Sequence, residues 1–187
     1  MDFSFNEEQT LIKGQVESFI EKDYSWETRQ KILSMEGSFS PQNWKIFADL
    51  GWLGLTISEE SGGFGGTAIE AMIIMEQFGK GLVLEPYLET VILSGGLIDT
   101  TGSDQQKEDI LKKVIAGEIH LSTAFAEPQS RFNLNDVSTS AVKNKSGYLI
   151  NGYKSVVMNG PSSDFFIVVT RTSGKQLDKK GISLFIL

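Results

Sequence analysis

The sequence predicts an α+β protein: an all-helical block over residues 1–118 followed by an antiparallel β-domain over 119–187. Up to Glu118 the apolar residues recur at helical spacing, and successive segments open on Ser, Thr or Asn caps. After Ile119 they fall in short alternating or β-branched runs separated by Asn/Gly/Ser turns. The change of period coincides with an Ala126-Glu127-Pro128 turn, and a junction between two such layers is a common place for a ligand cleft.

Asn6 or Ser4 caps the first helix, Glu7 and Glu8 sit beside its positive end, and Leu11, Ile12, Val16, Phe19 and Ile20 form one apolar stripe. A second helix is expected over Trp26–Ser34, broken by the stretch containing Gly37. Ser40-Pro41 opens a third, with Trp44, Phe47, Ala48 and Leu50 inward and Gly51 as its stop. Gly62, Gly63, Gly65 and Gly66 surround Phe64, but no Lys-Ser/Thr pair or framing strand supports a phosphate loop. A tight connection planting Phe64 in the core is the expectation.

Thr67 and Glu70 make a capping box for a helix whose Ile69, Met72, Ile73, Ile74, Met75 and Phe78 cover most of its circumference, which predicts burial. Pro86 starts a helix with Leu88, Val91, Ile92 and Ile98, and within it Gly95-Gly96 costs about 1 kcal/mol per glycine. Either close backbone packing or a passing ligand would offset that cost. Ser103–Gln106 is another capping box, for a helix running through Ile115 and stopped by Gly117.

In the β-domain, Val137–Val142 and Tyr148–Gly152 pair around an Asn144–Gly147 turn. Lys154–Met158 continues the sheet, Asn159-Gly160-Pro161 turns it, and Phe165–Thr170 adds a strand. Ser173–Gly181 is a hydrophilic connection to the apolar "GISLFIL" strand.

The 187 residues are 40% hydrophobic, enough for a sizeable core, and carry a net charge of −7 that argues against a general nucleic-acid or anionic-membrane binder. Cysteine is absent and His120 is the lone histidine, so neither disulfides nor a thiolate or imidazole metal site is expected. No run approaches the roughly 20 apolar residues of a membrane span, and the acidic N-terminus lacks a secretion-signal pattern. A cytoplasmic protein is the expectation.

Four strings resemble acyl-CoA dehydrogenases in order along the chain: "FNEEQ", "GWLGLTISEESGGFGGT", "AEPQSRFNLNDVSTSA" and "NGYKSVVMNGPSSDFFIVVTRT". With "LVLEPYLETVILSGGL", the last two look most like the group labelled pimeloyl-CoA dehydrogenase small subunit. The resemblance implies a truncated acyl-CoA dehydrogenase-like fold, FAD as cofactor and an acyl-CoA thioester as substrate. It further implies assembly as a hetero-oligomer with a large subunit or as a homo-oligomer.

By the same resemblance, Thr123, Phe125, Ala126, Val156, Val157 and Met158 line the flavin. The family threonine of the Glu-Pro turn is here Ala126, which keeps a backbone N–H. The aromatic of the facing strand is Val156, and its hydroxyl residue is Met158. Arg131 and Phe132 replace the usual residues after the turn and are candidates for substrate contact. Arg131 suits a cofactor phosphate or a partner subunit, and equally a solvated loop. No catalytic residue is assigned, because the family's base lies in a C-terminal helical domain beyond residue 187. Lys154 is expected at a sheet edge or facing outward, Glu127 as a turn carboxylate, and His120 in a structural role. The resulting expectation is part of an FAD-dependent acyl-CoA dehydrogenase, the small subunit of a two-subunit enzyme, inactive as this fragment alone. The alternative is a scaffold subunit without its own flavin.

Overall fold

The structure, a computed structural model, describes residues 4–187. It divides into two compact units, one ending at Glu118 and one spanning Ile119–Leu187.

The first unit contains α1 (Glu7–Asp23), α2 (Trp26–Leu33), α3 (Pro41–Asp49) and α4 (Ala68–Gly81). Next comes α5, a wide π-type stretch Leu88–Gly95 that continues as Gly96–Thr101. The last helix, α6, runs through Asp104–Gln106, a π-type stretch Lys107–Leu111 and Lys112–Ile115. Asn6, Ser25, Ser40, Thr67 and Ser103 each accept a first-turn N–H, so the cap residues do set where these helices begin. Gly51, at φ 78, follows α3 in the left-handed conformation.

Aromatic rings fill the core of this unit. Phe47, wholly buried, lies 5.3 Å from Phe19, 5.1 Å from Trp52 and 5.0 Å from Phe78. The faces are narrower than the periodicity suggests: Leu11 and Leu50 are exposed, and α4 buries Ile73, Ile74 and Phe78 while Ile69 and Met72 face outward.

One buried carboxylate fastens this unit. Glu85 accepts from the Tyr24 hydroxyl at 2.9 Å, Asn43 Nδ2 at 2.9 Å and Ser40 N–H at 3.3 Å, and Tyr24 in turn accepts from Leu84 N–H at 2.9 Å. Burial, then the Glu85 charge, pushes the Tyr24 phenol well above its ordinary pKa. Glu85 thus ties the end of α1 and the start of α3 to the segment before α5.

The glycine-rich loop binds itself. N–H groups of Gly62, Gly63, Phe64, Gly65 and Gly66 all donate to carbonyls between Gly54 and Glu59, which leaves none for a phosphate. A Cβ on Gly63 would sit 2.2 Å from the Ile57 carbonyl oxygen, and one on Gly66 2.5 Å from that of Leu55. The glycines therefore permit backbone to pack on backbone. Phe64 does not enter the core; it is 62% exposed and covers Gly51 and Gly54. Asp99 of α5 holds the loop through Ser58 N–H, Ser58 Oγ and Ser61 Oγ at 3.0, 2.7 and 2.6 Å. At the glycine pair of α5, a Cβ on Gly95 would lie 3.1 Å from the helix's own Thr90 carbonyl, whereas Gly96 has open space around it.

The second unit is a five-stranded sheet of β1 (Leu121–Ala124), β2 (Ser140–Asn144), β3 (Gly147–Asn151), β4 (Phe165–Arg171) and β5 (Ile182–Ile186). It is mixed, which corrects the expectation of a purely antiparallel domain. β1 pairs parallel with β4 from Leu121↔Phe165 to Ala124↔Val168, and β2 meets β4 in parallel at Ser140↔Arg171. The β2–β3 and β4–β5 pairs are antiparallel. Local turn signals reveal hairpins; the parallel pairing of β1 and β4 joins segments about forty residues apart and leaves no such mark. Tyr148 of β3 lies 4.8 Å from Phe185 of β5, ring to ring, so the sheet curls to bring its outer strands together.

Glu85→Leu should lower the stability of the helical unit by about 3 kcal/mol, because it strands buried donors of Asn43 and Ser40. The check is a fall in the urea midpoint at unchanged slope.

Candidate functional site

The candidate flavin-facing residues lie on two segments of the β unit, the exit of β1 and the stretch from Lys154 to Asn159. That second stretch is not a strand, contrary to the β-branched Val156-Val157 signal: it makes no ladder, and it ends in a turn where Asn159 adopts φ 57. Its backbone is fixed in other ways. Ser155 N–H donates to the Ala126 carbonyl at 3.0 Å, and Gly160 N–H donates to the Val157 carbonyl at 3.1 Å. Ser122 Oγ, from β1, donates to the Met158 carbonyl at 2.6 Å and lies 2.6 Å from Ser163 Oγ.

Lys154 points inward, which corrects its assignment to a sheet edge. Its side chain is 8% exposed and its Nζ lies 2.7 Å from Oε1 of Glu127, whose side chain is 0% exposed. Glu127 is a turn carboxylate of an elaborate kind. Oε1 also accepts from Thr139 N–H at 3.0 Å, while Oε2 accepts from Ser138 N–H at 2.8 Å, Gln129 Nε2 at 2.7 Å and the Ser138 hydroxyl. Burial pushes this carboxyl's pKa up, but Lys154 and the Ser138, Thr139 and Gln129 donors outweigh burial and hold it far below the usual carboxylate range.

These contacts bring Phe125 and Ala126 beside Val156–Met158. Phe125, Val156 and Met158 are exposed, and Ala126 and Val157 are half-buried. The Ala126 carbonyl is occupied by Ser155, whereas the N–H groups of Ala126, Val156, Val157 and Met158 make no hydrogen bond among the described residues. An apolar edge with free main-chain donors suits a planar heteroaromatic ring that carries acceptors, so the residues present fit a flavin through backbone and apolar contact, without a side-chain hydroxyl. Thr123 is half-buried within β1.

Arg131 and Phe132 lie in the turns leading to Asp136, and among the described residues no hydrogen bond ties them to this edge; Arg131 has φ 47 and Phe132 is 100% exposed. His120 is largely buried, its N–H donating to Asp164 at 2.7 Å, and burial lowers its pKa while Asp164 partly opposes the shift. Each of the four carboxylates in this unit is engaged by donors: Glu127 as above, Asp164 by His120 N–H, Asp136 by Gln129 and Gln176, and Asp178 by Lys175 N–H. None of them stands free as a general base.

The sequence reading missed Arg171. Its guanidinium, buried at the end of β4, donates to the carbonyls of Asp178, Lys180, Asn135 and Gln176 at 2.8–2.9 Å, pinning two loops without an acidic partner. A basic residue at the end of an apolar strand is the only signal it left. Charge is also unevenly divided: residues 1–118 carry 9 basic and 20 acidic residues, net −11, and residues 119–187 carry 8 and 4, net +4. Among the described residues, no group of His, Asp and Glu is placed to hold a metal ion, and no helix is long and apolar enough to cross a membrane.

Because the Glu127 carboxyl has a depressed folded-state pKa, its contribution to stability is present above the unfolded value of about 4.3 and disappears only as pH falls well below it. Urea midpoints between pH 7 and pH 2 should therefore drop steeply in the most acidic part of the range, and Glu127→Gln should flatten that part of the curve.

The acyl-CoA dehydrogenase N-terminal domain matches residues 6–118, and the acyl-CoA dehydrogenase middle domain matches residues 122–187. The caffeyl-CoA reductase-Etf complex subunit CarC of Acetobacterium woodii is 30% identical over 185 residues, covering 98% of this chain and 48% of that protein. A short-chain specific acyl-CoA dehydrogenase of Clostridium acetobutylicum is 30% identical over 192 residues, covering 100% and 49%. The structure of butyryl-CoA dehydrogenase from Megasphaera elsdenii superposes with a TM-score of 0.82 at 26% identity, over 100% of this chain and 50% of that one. The ChsE4-ChsE5 complex from Mycobacterium tuberculosis shares the fold with a TM-score of 0.86 at 24% identity, over 100% and 48%. The chain spans about half the length of the curated relatives it matches. With both of its units matched by consecutive domains of one family, the chain belongs to the acyl-CoA dehydrogenases.

Proposed function

We propose that this chain is the N-terminal and middle-domain portion of an FAD-dependent acyl-CoA dehydrogenase that forms an α,β double bond in an acyl-CoA thioester. The observation that carries the reading is the edge formed by Ala126 and Val156–Met158, whose free N–H groups and exposed apolar side chains lie where the family resemblance expects the flavin. FAD, when bound, supplies the acceptor for the β-hydrogen. This chain's own residues present the backbone donors that orient the ring and the apolar surface that excludes water from it. The net +4 charge of residues 119–187 favours an anionic cofactor or thioester on this unit.

Proton abstraction beside the thioester needs a positioned carboxylate, and the four in the β unit are already engaged. None of the four is proposed as the base; the family resemblance, and not their engagement, implies a base outside these 187 residues. A role as the small subunit of a two-subunit enzyme agrees with relatives whose names describe complexes, the Etf-complex subunit and the ChsE4-ChsE5 pair.

A second reading has its own support. Ala126, Val156 and Met158 offer neither hydroxyl nor aromatic ring, which favours a scaffold subunit that stabilises an active partner without holding flavin itself. Purification of the full natural chain, alone and with a co-expressed partner subunit, separates the two. The expected result is a stoichiometric flavin absorption band that bleaches on adding an acyl-CoA thioester. A protein colourless in both preparations supports the scaffold. Met158→Glu, at an exposed position, should weaken flavin binding about tenfold or more by placing a carboxylate against the ring edge, with the urea midpoint near that of the wild type.

A further inference from the structure

Val156–Met158 is an irregular segment with exposed Val156 and Met158 side chains and unpaired N–H groups, conditions under which a loop is ordinarily mobile. Yet both its ends are tied to the exit of β1. Upstream, Lys154 enters the buried Glu127 cluster, its Nζ also 3.5 Å from the Phe125 carbonyl, and Ser155 N–H holds the Ala126 carbonyl. Downstream, Ser122 Oγ holds the Met158 carbonyl, and Ser163 backs Ser122 by donating its hydroxyl to Ser122 Oγ at 2.6 Å. The ties are made by β1 residues or by the turn that follows it. They fix the distance between the Ala126 N–H and those of Val156–Met158.

A buried ion pair gives little net stability once both charges are desolvated, so the Glu127–Lys154 pair is poorly explained as a source of folding energy alone. It is well explained as a device for geometry. Donors aimed at a rigid ring must be held within a fraction of an ångström, and side chains that act through the backbone can do this without touching the ligand.

We propose that Lys154 and Ser122 are positioning residues for the flavin, clamping the Val156–Met158 segment at its two ends so that its free N–H groups and that of Ala126 form one preorganised donor set. This rests on the FAD reading given above. Neither residue touches the ring; each acts on the main chain that does.

The test uses the full natural protein, with any partner subunit it requires, as wild type, Lys154→Met, Lys154→Arg and Ser122→Ala. Four quantities are read: FAD dissociation constant, flavin midpoint potential, amide hydrogen exchange at Ser155–Met158, and urea midpoint. Lys154→Met is expected to weaken FAD at least tenfold, shift the midpoint potential and speed exchange at Ser155–Met158, with Lys154→Arg recovering part of each. Ser122→Ala, a smaller change, is expected to weaken FAD severalfold and speed exchange chiefly at the Met158 end. Should Lys154→Met fail to fold, Ser122→Ala with Lys154→Arg decides the matter. Loss of urea stability with FAD affinity within twofold of wild type, an unshifted potential and unchanged exchange would overturn the proposal and leave both residues merely structural. A wild-type protein that takes up no FAD would overturn the flavin reading itself. In that case fast exchange in the variants would still show that the clamp exists, and its role toward flavin would be refuted.

Discussion

The Glu127 carboxylate is the constraint on which the candidate site depends. It is a charge removed from water, and it is tolerable there only because Lys154 and the donors of Gln129, Ser138 and Thr139 surround both of its oxygens. Satisfying it forces three separate pieces of chain to converge: the turn after β1, the approach to β2, and the segment after β3. The same solution occurs in the helical unit, where Glu85 gathers Tyr24, Ser40 and Asn43. Each of these glutamates precedes a proline, Pro86 or Pro128. Proline steers the residue before it away from helical conformation, and each glutamate lies between regular elements with its side chain turned into the unit.

Much of the fold was legible because the deciding physics was local. Cap residues, the turn between β2 and β3 and the left-handed Gly51 act within a few residues of themselves, and reading them one at a time places helix starts and hairpin alike. What failed depended on distant partners. Val156-Val157 carries β propensity, but it joins no ladder, and the ties to Ala126 and Ser122 settle its conformation instead. Lys154 looked outward because a lysine in an alternating run ordinarily is; nothing nearby in sequence announces a buried partner 27 residues away. Phe64 has the composition of a core residue, and only the self-bonding of its loop keeps it at the surface. For the site, the positions came from family resemblance, and the structure adds which of their backbone groups are spent and which are free.

Loss of the family's hydroxyl and aromatic positions has a specific physical meaning in this arrangement. A side-chain donor can rotate to meet a ring, whereas a main-chain donor goes where its segment is held. Recognition built on Ala126, Val156 and Met158 therefore transfers the burden of precision from the contacting residues to those behind them. Substitutions in the contact residues that keep both the N–H group and an uncharged, apolar side chain should then be better tolerated than substitutions in the buried cluster.

The parallel pairing of β1 with β4 also bears on how the β unit assembles. β2 and β3 close through a very short turn, and β4 and β5 are joined by the loop whose carbonyls Arg171 binds, three of its four acceptors lying within nine residues. β1 must instead find Phe165–Val168 across a much longer stretch of chain. Loop-closure entropy disfavours that contact until the hairpins already exist to receive it. β1 carries Ser122 and leads directly into Phe125, Ala126 and Glu127, so by loop-closure entropy the edge assigned to the flavin is expected to take shape when β1 docks. A cofactor that binds this edge would meet the chain late in folding and would act as a trap for the completed sheet.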